Sequence, residues 1–448
     1  MIFMKKPEKI LRPVKRIHGG VRVPHNKNTA EFERDTFFTV DSVAIPMQQH
    51  IGAPCVPCVK PGDTVFVGTK IGDSDKFISA PIHSSVSGTV SKIDTMLLPS
   101  GQACQLVVIK SDLSMTLDPE IKPVVVKTAD DLVAAARNSG LVGLGGAGFP
   151  AHVKLKVSPE KPIDFLIINA AECEPFITAD YRECMENPDD ILEGVYLIKS
   201  LLGIKNVVIC VEDNKPRAIK TLYNIACDRK DTDNTVRLMR LKSAYPQGAE
   251  KLLIYSATGR KVPFGRLPSD VGCIVMNVTS VAFLSRYIKT GVPLVSKSVT
   301  VDGSGIDCPK NLTVPIGTAF EDVFEYCGGL KTDAVKFLSG GPMMGMSVAD
   351  PLMPVLKQTN AITVLGEKEA AQVSPYSCIG CGRCASACPM RLTPARVDSA
   401  MQFGKTEELV GLHPECCIEC GCCSFSCPSK RHLTQTMKLA KAELKKSK

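Results

Sequence analysis

The 448-residue chain has no tryptophan, and its aromatic content is only 5%. Stacking platforms for nucleic-acid bases are therefore scarce, and nucleic acid is not an expected partner. Long apolar runs are also missing. Those present, such as Phe165 to Ile168 and Cys273 to Met276, are strand-sized, far short of the roughly 20 residues that span a bilayer. This excludes an integral membrane protein. Met1-Ile-Phe-Met4 is followed by Lys5 and Lys6 with no apolar core and no small-residue cleavage site behind them, so no secretory leader is expected and the chain is placed in the cytoplasm. In that compartment its 20 cysteines are reduced thiols, not disulfides.

Acidic residues are short at the two ends. The chain carries +8 overall, yet residues 1–28 and 429–448 each hold a basic excess larger than the remainder can balance, so the body is acidic. Solvated arms are the plain reading of such ends, and anchoring on a partner or on anionic lipid is the sharper one.

At about 150 residues per domain the length suggests three or more domains. Residues 40–110 read as short strands cut by turns such as Lys60-Pro-Gly-Asp63 and Ser87-Gly88. The run Val59 to Ile71, followed by Ala80-Pro-Ile-His-Ser-Ser-Val-Ser-Gly-Thr-Val90, resembles the barrel-sandwich fold of biotinyl and lipoyl domains, here as an unmodified barrel. Cys55 and Cys58 form a lone pair of thiols within it. From Thr128 helices alternate with apolar strands (Phe165 to Ile168, Val207 to Val211, Val236 to Leu241, Cys273 to Asn277), which specifies an α/β domain with a Rossmann-like parallel sheet. Ser296 to Gly366 returns to β character with one short helix, as a β-grasp module would. The expected divisions are a basic arm (1–28), a barrel-sandwich domain (29–120), the α/β domain (121–295), the β-grasp domain (296–366), a helical cysteine-rich domain (367–430) and a basic tail (431–448).

Half of the cysteines fall between Cys378 and Cys427. The run Cys378-x-x-Cys381-x-x-Cys384-x-x-x-Cys388-Pro389 recurs as Cys417-x-x-Cys420-x-x-Cys423-x-x-x-Cys427-Pro428. Two such runs specify two 4Fe-4S clusters, the fourth cysteine of each run serving the other cluster. Hence Cys378, Cys381, Cys384 and Cys427 are assigned to one cluster, and Cys388, Cys417, Cys420 and Cys423 to the second. Zinc sites use paired Cys-x-x-Cys units, and eight thiolates in two groups of three plus one would be surplus to them. Cys416 and Cys422 fall outside the frame.

Gly143-Leu-Gly-Gly-Ala-Gly148 satisfies Gly-x-Gly-x-x-Gly, but a helix precedes it and Phe149-Pro150 follows, so the ordinary dinucleotide reading fails. A glycine-rich loop can still cradle phosphate through exposed N–H groups, with Lys154 adding a charge; a tight turn is the plain alternative. The next strand ends in Asn169-Ala-Ala-Glu172-Cys-Glu174-Pro175, with polar groups where α/β sheets place ligands.

These motifs together, Gly143 to Pro150 with Lys154 and then Asn169 to Pro175, resemble the FMN and NADH site of the flavoprotein subunit of respiratory complex I. From about residue 17 onward the order of barrel, flavin domain, SLBB β-grasp and double-cluster ferredoxin module resembles the RnfC family, whose members belong to Rnf complexes, membrane-bound ferredoxin:NAD oxidoreductases. The resemblance implies non-covalent FMN, NAD(H) and two 4Fe-4S clusters as cofactors. Gly143, Gly145, Gly146, Gly148 and Lys154 would hold the FMN phosphate. Asn169, Glu172 and Glu174 would line the flavin and nicotinamide side, the two glutamates as catalytic acids, with Gly248, Glu250 and Asn277 completing the pocket. Leu144 and Ala171 stand where complex I has Arg and Asp. A peripheral position on the cytoplasmic face of the membrane is implied, beside integral and ferredoxin-type subunits that move Na+ or H+, with ferredoxin as an indirect donor. A soluble cobalamin-reductase-like flavoprotein and a non-enzymatic cluster-carrying adaptor are the rival readings. Glu172 and Glu174 also have a bland role available, pairing with Arg182 or capping the following helix.

Overall fold

The structure is a computed structural model describing residues 10–99, 101–228, 235–371 and 373–446. The stretch Met1 to Lys6, on which the absence of a leader is expected, lies outside these residues.

Residues 42–111 build two small antiparallel sheets. One orders its strands Ser42–Pro46, Ala103–Ser111, Gly88–Leu97 and Thr64–Val65, and the other Val56–Pro57, Lys70–Asp73 and Ile82–His83. Along Ala103–Ser111 Cys104 and Leu106 are buried from one face and Val107 and Ile109 from the other, so both faces of this strand are covered in part.

The central domain is a five-stranded, wholly parallel sheet ordered Ile10–Leu11, Val236–Leu241, Asn206–Glu212, Phe165–Ala170 and Cys273–Asn277. Its strands read as continuous apolar runs because both faces are covered. Leu166, Ile168, Val207 and Ile209 pack on one side with the helices Pro188–Leu201 and Val278–Thr290, while Ile167, Val208 and Cys210 pack on the other with Glu250–Thr258. The helix Ala129–Asn138 starts on a reciprocal capping box between Thr128 and Asp131.

A mixed six-stranded sheet follows, ordered Met346–Val348, Ala334–Ser339, Ala361–Gly366, Ser296–Asp302, Lys310–Pro315 and Arg34–Thr36, with the helix Phe320–Tyr326 against it. It shares one apolar core with the barrel, in which Ile45 and Val107 meet Val314 and Val355. The last region is helical, as expected: Arg383–Ala387, Pro394–Gln402, Cys422–Ser426 and Leu433–Lys446.

The two basic ends depart from expectation. The described part of the N-terminal arm adds a strand to the parallel sheet at Ile10–Leu11 and bonds Gly20 N–H to Ala387 O. Residues 34–36, counted with the barrel from sequence, pair instead with Lys310–Pro315. The basic tail is mostly the helix Leu433–Lys446, whose Met437 and Ala440 are buried against Val397 and Leu409. Charge counting could not see this, because a helix face that alternates lysine with apolar residues docks while its charges stay in water.

Lys357 ties three parts of the molecule together. It is fully buried, and its Nζ donates to Pro81 O (2.6 Å) in the barrel and to Gly140 O (2.8 Å) after the first helix, while its N–H donates to Gln49 Oε1 (3.0 Å). Burial lowers this ammonium from 10.5 to about 7. A folded-state value below the unfolded one means stability is gained as pH rises from about 7 toward 10.5. Relative to Lys357→Met, the protein is therefore expected to gain up to about 1.4 kcal/mol per pH unit across that window, read from urea midpoints. A pH-independent difference would contradict the assignment.

Candidate functional site

The strand order of the parallel sheet reverses between Phe165–Ala170 and Cys273–Asn277, with Asn169 directly opposite Asn277. Beyond the carboxyl ends of such a pair lies the crevice in which α/β sheets bind ligands. Both asparagines are fixed. Asn169 Nδ2 donates to Gly248 O (2.9 Å), and Asn277 Nδ2 donates to Asp180 Oδ2 (2.7 Å) while its Oδ1 caps the following helix at Ser280 N–H (3.2 Å). Among largely buried neighbours, Asn169, Glu172, Cys173, Glu174, Gly248 and Asn277 keep partial exposure, as the wall of a crevice does.

The glycine loop lies over this edge. Gly145 approaches Asn277 so closely that a Cβ would sit 2.8 Å from its Nδ2. Leu144 N–H donates to Ser280 Oγ (3.0 Å) and Gly148 N–H to Gly143 O (3.1 Å), which closes the loop and leaves the exposed N–H groups of Gly145, Gly146 and Ala147 without an acceptor among the described residues. Three consecutive free donors suit a phosphate. Lys154 and Glu250 are brought together as an ion pair (2.5 Å), and Lys154 Nζ also donates to Val275 O (3.0 Å) on the outer strand. Its charge is thus balanced, not free for phosphate as the sequence suggested.

The segment Ala171 to Ile177 forms the other wall, held by two lysines that the sequence motifs do not flag. Lys27 Nζ donates to the carbonyls of Glu172 (3.0 Å), Glu174 (2.7 Å) and Ile177 (2.5 Å). Lys215 Nζ donates to Ala171 O (2.6 Å) and pairs with Glu212 (3.2 Å). Burial lowers the Lys27 ammonium. Lys215 was legible in principle, since Asn214-Lys215-Pro216 follows a strand at the carboxyl edge of the sheet. Lys27 carried no such signal inside a basic arm.

Glu172, at φ +51°, accepts from Asp180 N–H (2.6 Å) and Tyr181 N–H (3.3 Å), so its carboxylate caps the helix Ala179–Glu186. Burial raises its pKa. Arg182 is engaged elsewhere, with Glu186. Glu174 reaches out of the domain: Oε2 accepts from Met343 N–H (3.1 Å) and Oε1 from the Tyr245 hydroxyl (3.4 Å). A Cβ on Gly341 would lie 2.4 Å from that carboxylate, so only glycine lets it approach. Burial pushes Glu174 up to about 7.

Tyr245 leads to the cysteines, packing with Met343, Cys173, Ala387, Cys420 and Cys422. Cys388, Cys417, Cys420 and Cys423, with Cys422 beside them, line one narrow cavity, and Cys378, Cys381, Cys384 and Cys427 line a roomier, more open one. Each cavity therefore gathers three cysteines of one run and the fourth of the other. The donor set fits iron–sulfur clusters: Leu392 N–H and Glu419 N–H already point at Cys388 Sγ (3.4 Å) and Cys417 Sγ (3.3 Å), as donors to cluster thiolates do. Cys422 is buried against Tyr245, and Cys416 packs beneath the last helix region.

Family models match the chain in four places: an RnfC barrel sandwich hybrid domain over residues 15–114, a Nuo51 FMN-binding domain over 136–286, an SLBB domain over 298–347 and a 4Fe-4S binding domain over 371–391. The chain is 41% identical over 432 residues to the C component of the Na+-translocating ferredoxin:NAD+ oxidoreductase complex of Acetobacterium woodii, covering 95% of this chain and 96% of that one. It is 41% identical to the proton-translocating counterpart of Clostridium ljungdahlii, covering 85% and 83%. This chain belongs to the RnfC family. Like other RnfC proteins it is an electron-transfer component of a multi-subunit oxidoreductase complex, with an FMN-binding domain and a 4Fe-4S ferredoxin domain. Among solved structures, NAD+-reducing NiFe hydrogenase matches at 20% identity and a TM-score of 0.47, over 63% of this chain and 54% of that one. No described helix is long and apolar enough to cross a membrane.

Lys27→Met is expected to leave the carbonyls of Glu172, Glu174 and Ile177 without their donor. The loss is about 2 kcal/mol or more, since an orphaned buried acceptor costs about 1–3 kcal/mol. Chemical unfolding, with proteolysis mapped to residues 171–177, reads it; an unchanged midpoint and cleavage pattern would reduce Lys27 to an ordinary surface lysine.

Proposed function

We propose that this RnfC protein holds FMN in the crevice beside the glycine loop, a 4Fe-4S cluster in each cysteine cavity, and a nicotinamide site at the same crevice, and that it passes electrons between reduced ferredoxin and NAD+ on the cytoplasmic face of a membrane complex whose other subunits translocate Na+ or H+. The reading rests above all on one observation: the eight cysteines gather in two cavities as three plus one, and the cavity holding Cys420 abuts Tyr245 and Glu174 at the mouth of the crevice.

When bound, FMN supplies the exchange between a hydride and single electrons, and the clusters supply one-electron transfer. The protein's part is position and electrostatics. The free N–H groups of Gly145, Gly146 and Ala147 would receive the phosphate, Gly143 and Gly148 close the loop that presents them, and the Lys154–Glu250 pair fixes the floor next to Val275. Asn169, Asn277 and Gly248 shape the crevice wall. Lys27 and Lys215 bind the carbonyl side of Ala171 to Ile177 and hold Glu172 and Glu174 in place. Glu174, with a pKa near neutrality, can hold or release a proton at Oε1 or Oε2 where charge changes in the crevice, and Glu172 keeps its carboxylate beside the same opening.

Protein purified anaerobically is expected to hold about eight irons per chain, because each cubane takes four thiolates, and to release intact FMN in acid. In Gly146→Val the new Cβ would have space, Asn360 Nδ2 lying 3.9 Å away, but Gly146 sits at φ +109°, which valine does not adopt, so the loop that presents the free N–H groups would be forced out of shape. Flavin should be lost while iron is retained. Full flavin occupancy in that variant would return the loop to an ordinary turn. Glu172→Gln separates two roles for this acid: a sharp fall in NADH oxidation with cofactors and melting temperature kept supports the site, whereas a parallel loss of stability and flavin assigns it to the helix cap alone.

A further inference from the structure

The two cysteine cavities differ in what covers them. The one with Cys388, Cys417, Cys420 and Cys423 is closed over by the chain itself. Met343 O would lie 2.8 Å from a Cβ on Gly421, and the Cys422 thiol is buried under Tyr245 O. The other opens outward, and Cys378 and Cys381 are exposed. The segment leading to them presents Val373 (49% exposed), Tyr376 (68%) and Ile379 (69%) to solvent, an apolar patch around the very thiols assigned to a redox centre.

The charge around this opening is one-signed. No Asp or Glu occurs in residues 370–397 or 420–442, the two stretches that line the cavity. Arg383, Arg396 and Lys430 stand beside it, exposed, and the side chains of all three lack an ion pair or hydrogen-bond partner among the described residues. Arg431 alone is neutralised, by the buried Asp398 (2.5 Å). By contrast Glu419, on the inner cavity, is paired with Lys438 and Lys441. Unpaired cations are not a requirement of cluster binding, which the buried set accomplishes without them. Arranged around an apolar centre, they match the pattern of a steered, transient contact: a small hydrophobic contact with complementary charge at its rim.

We propose that the face formed by Tyr376, Ile379, Arg383, Arg396 and Lys430 around Cys378 and Cys381 is the docking surface for a small, acidic, low-potential iron–sulfur protein or domain, and that electrons cross the molecule from that outer cavity to the inner one beside Tyr245. The proposal rests on the cluster assignment above. NAD+, one proton and two electrons give NADH, so two one-electron encounters at this face serve each nicotinamide. An apolar edge near the exposed thiols excludes water from the contact, and the cations raise the encounter rate with an acidic partner while leaving it free to depart.

The test uses the full chain loaded with iron, sulfide and FMN, and a bacterial two-cluster ferredoxin of acidic net charge as probe. Calorimetric titration at about 50 mM and about 300 mM salt should show binding that weakens about tenfold or more at the higher salt, where charges beyond about 6 Å are screened. Arg383→Glu combined with Lys430→Glu should weaken it about tenfold or more at low salt, and the uncharged Ile379→Ser should weaken it with little change in salt slope. Lys92→Glu, on the barrel strand Gly88–Leu97 and outside this face, should leave it unchanged. Iron and flavin content, read beforehand, report separately on the cofactor assignment: a chain that loads no cluster fails there, whereas a fully loaded chain with salt-insensitive binding, or with equal affinity in the charge-reversed variant, overturns the docking face. Binding of anionic phosphatidylglycerol vesicles, lost on charge reversal, with no ferredoxin binding would also overturn it and assign the face to a membrane.

Discussion

The segment Ala171 to Ile177 leaves the parallel sheet at the point where strand order reverses, and four of its backbone carbonyls are taken by two ammonium groups, Lys27 and Lys215. Backbone acceptors removed from water need donors, and here they come from an N-terminal arm and from the end of the neighbouring strand. The arrangement fixes the wall of the crevice, turns Glu172 onto the first turn of the next helix and aims Glu174 away toward Tyr245 and Met343. It adds the Glu174 carboxylate to the contact that Tyr245 already makes between the α/β domain, Met343 of the β-grasp loop and the inner cysteine cavity. The described N-terminal arm is thus a strap: it joins the sheet at Ile10, touches the ferredoxin module at Ala387 and closes on the crevice at Lys27.

Charge and exposure change in step from the crevice to the far end of the molecule. Around the crevice, carboxylates and ammonium groups lie close together in poorly solvated surroundings, which moves Lys27 down and Glu172 and Glu174 up. The inner cysteine cavity is largely buried, and Glu419 on its wall is paired with Lys438 and Lys441. The outer one carries exposed thiols, and the side chains of its cations Arg383, Arg396 and Lys430 have no partner among the described residues. The gradient suits the proposed function, because hydride transfer benefits from exclusion of water and protein encounter requires access.

Much of this was legible in the sequence, for identifiable reasons. Val236–Leu241 and Cys273–Asn277 announce themselves as strands buried on both faces, and the cysteine spacing singled out the eight thiols that line the two cavities. Asn169 was recognisable because ligand groups collect at strand ends, whereas Gly248 and Asn277 were named only through the family resemblance. What escaped were groups whose role depends on distant partners. Lys154 read as a free cation, yet Glu250, some 96 residues away in sequence, takes its charge. Lys27 and Met437 sat in basic ends that composition alone describes as solvated. Arg34–Thr36 is too short and polar to look like a strand, and pairs at a sheet edge that forms only after residues 310–315 are in place.

The crossed partition of the cysteines carries the whole account, and the replacement of a single fourth cysteine tests it most directly. Cys388→Ser, followed by electron paramagnetic resonance of the dithionite-reduced protein against matching Cys427→Ser, is predicted to abolish or alter the signal of the cluster held by Cys417, Cys420 and Cys423 while sparing that held by Cys378, Cys381 and Cys384. Cys427→Ser should do the reverse. If Cys388→Ser instead removes the cluster of its own run, Cys378 to Cys384, the pairing is sequential, and both the inner-to-outer order of the cavities and the path to Tyr245 are contradicted.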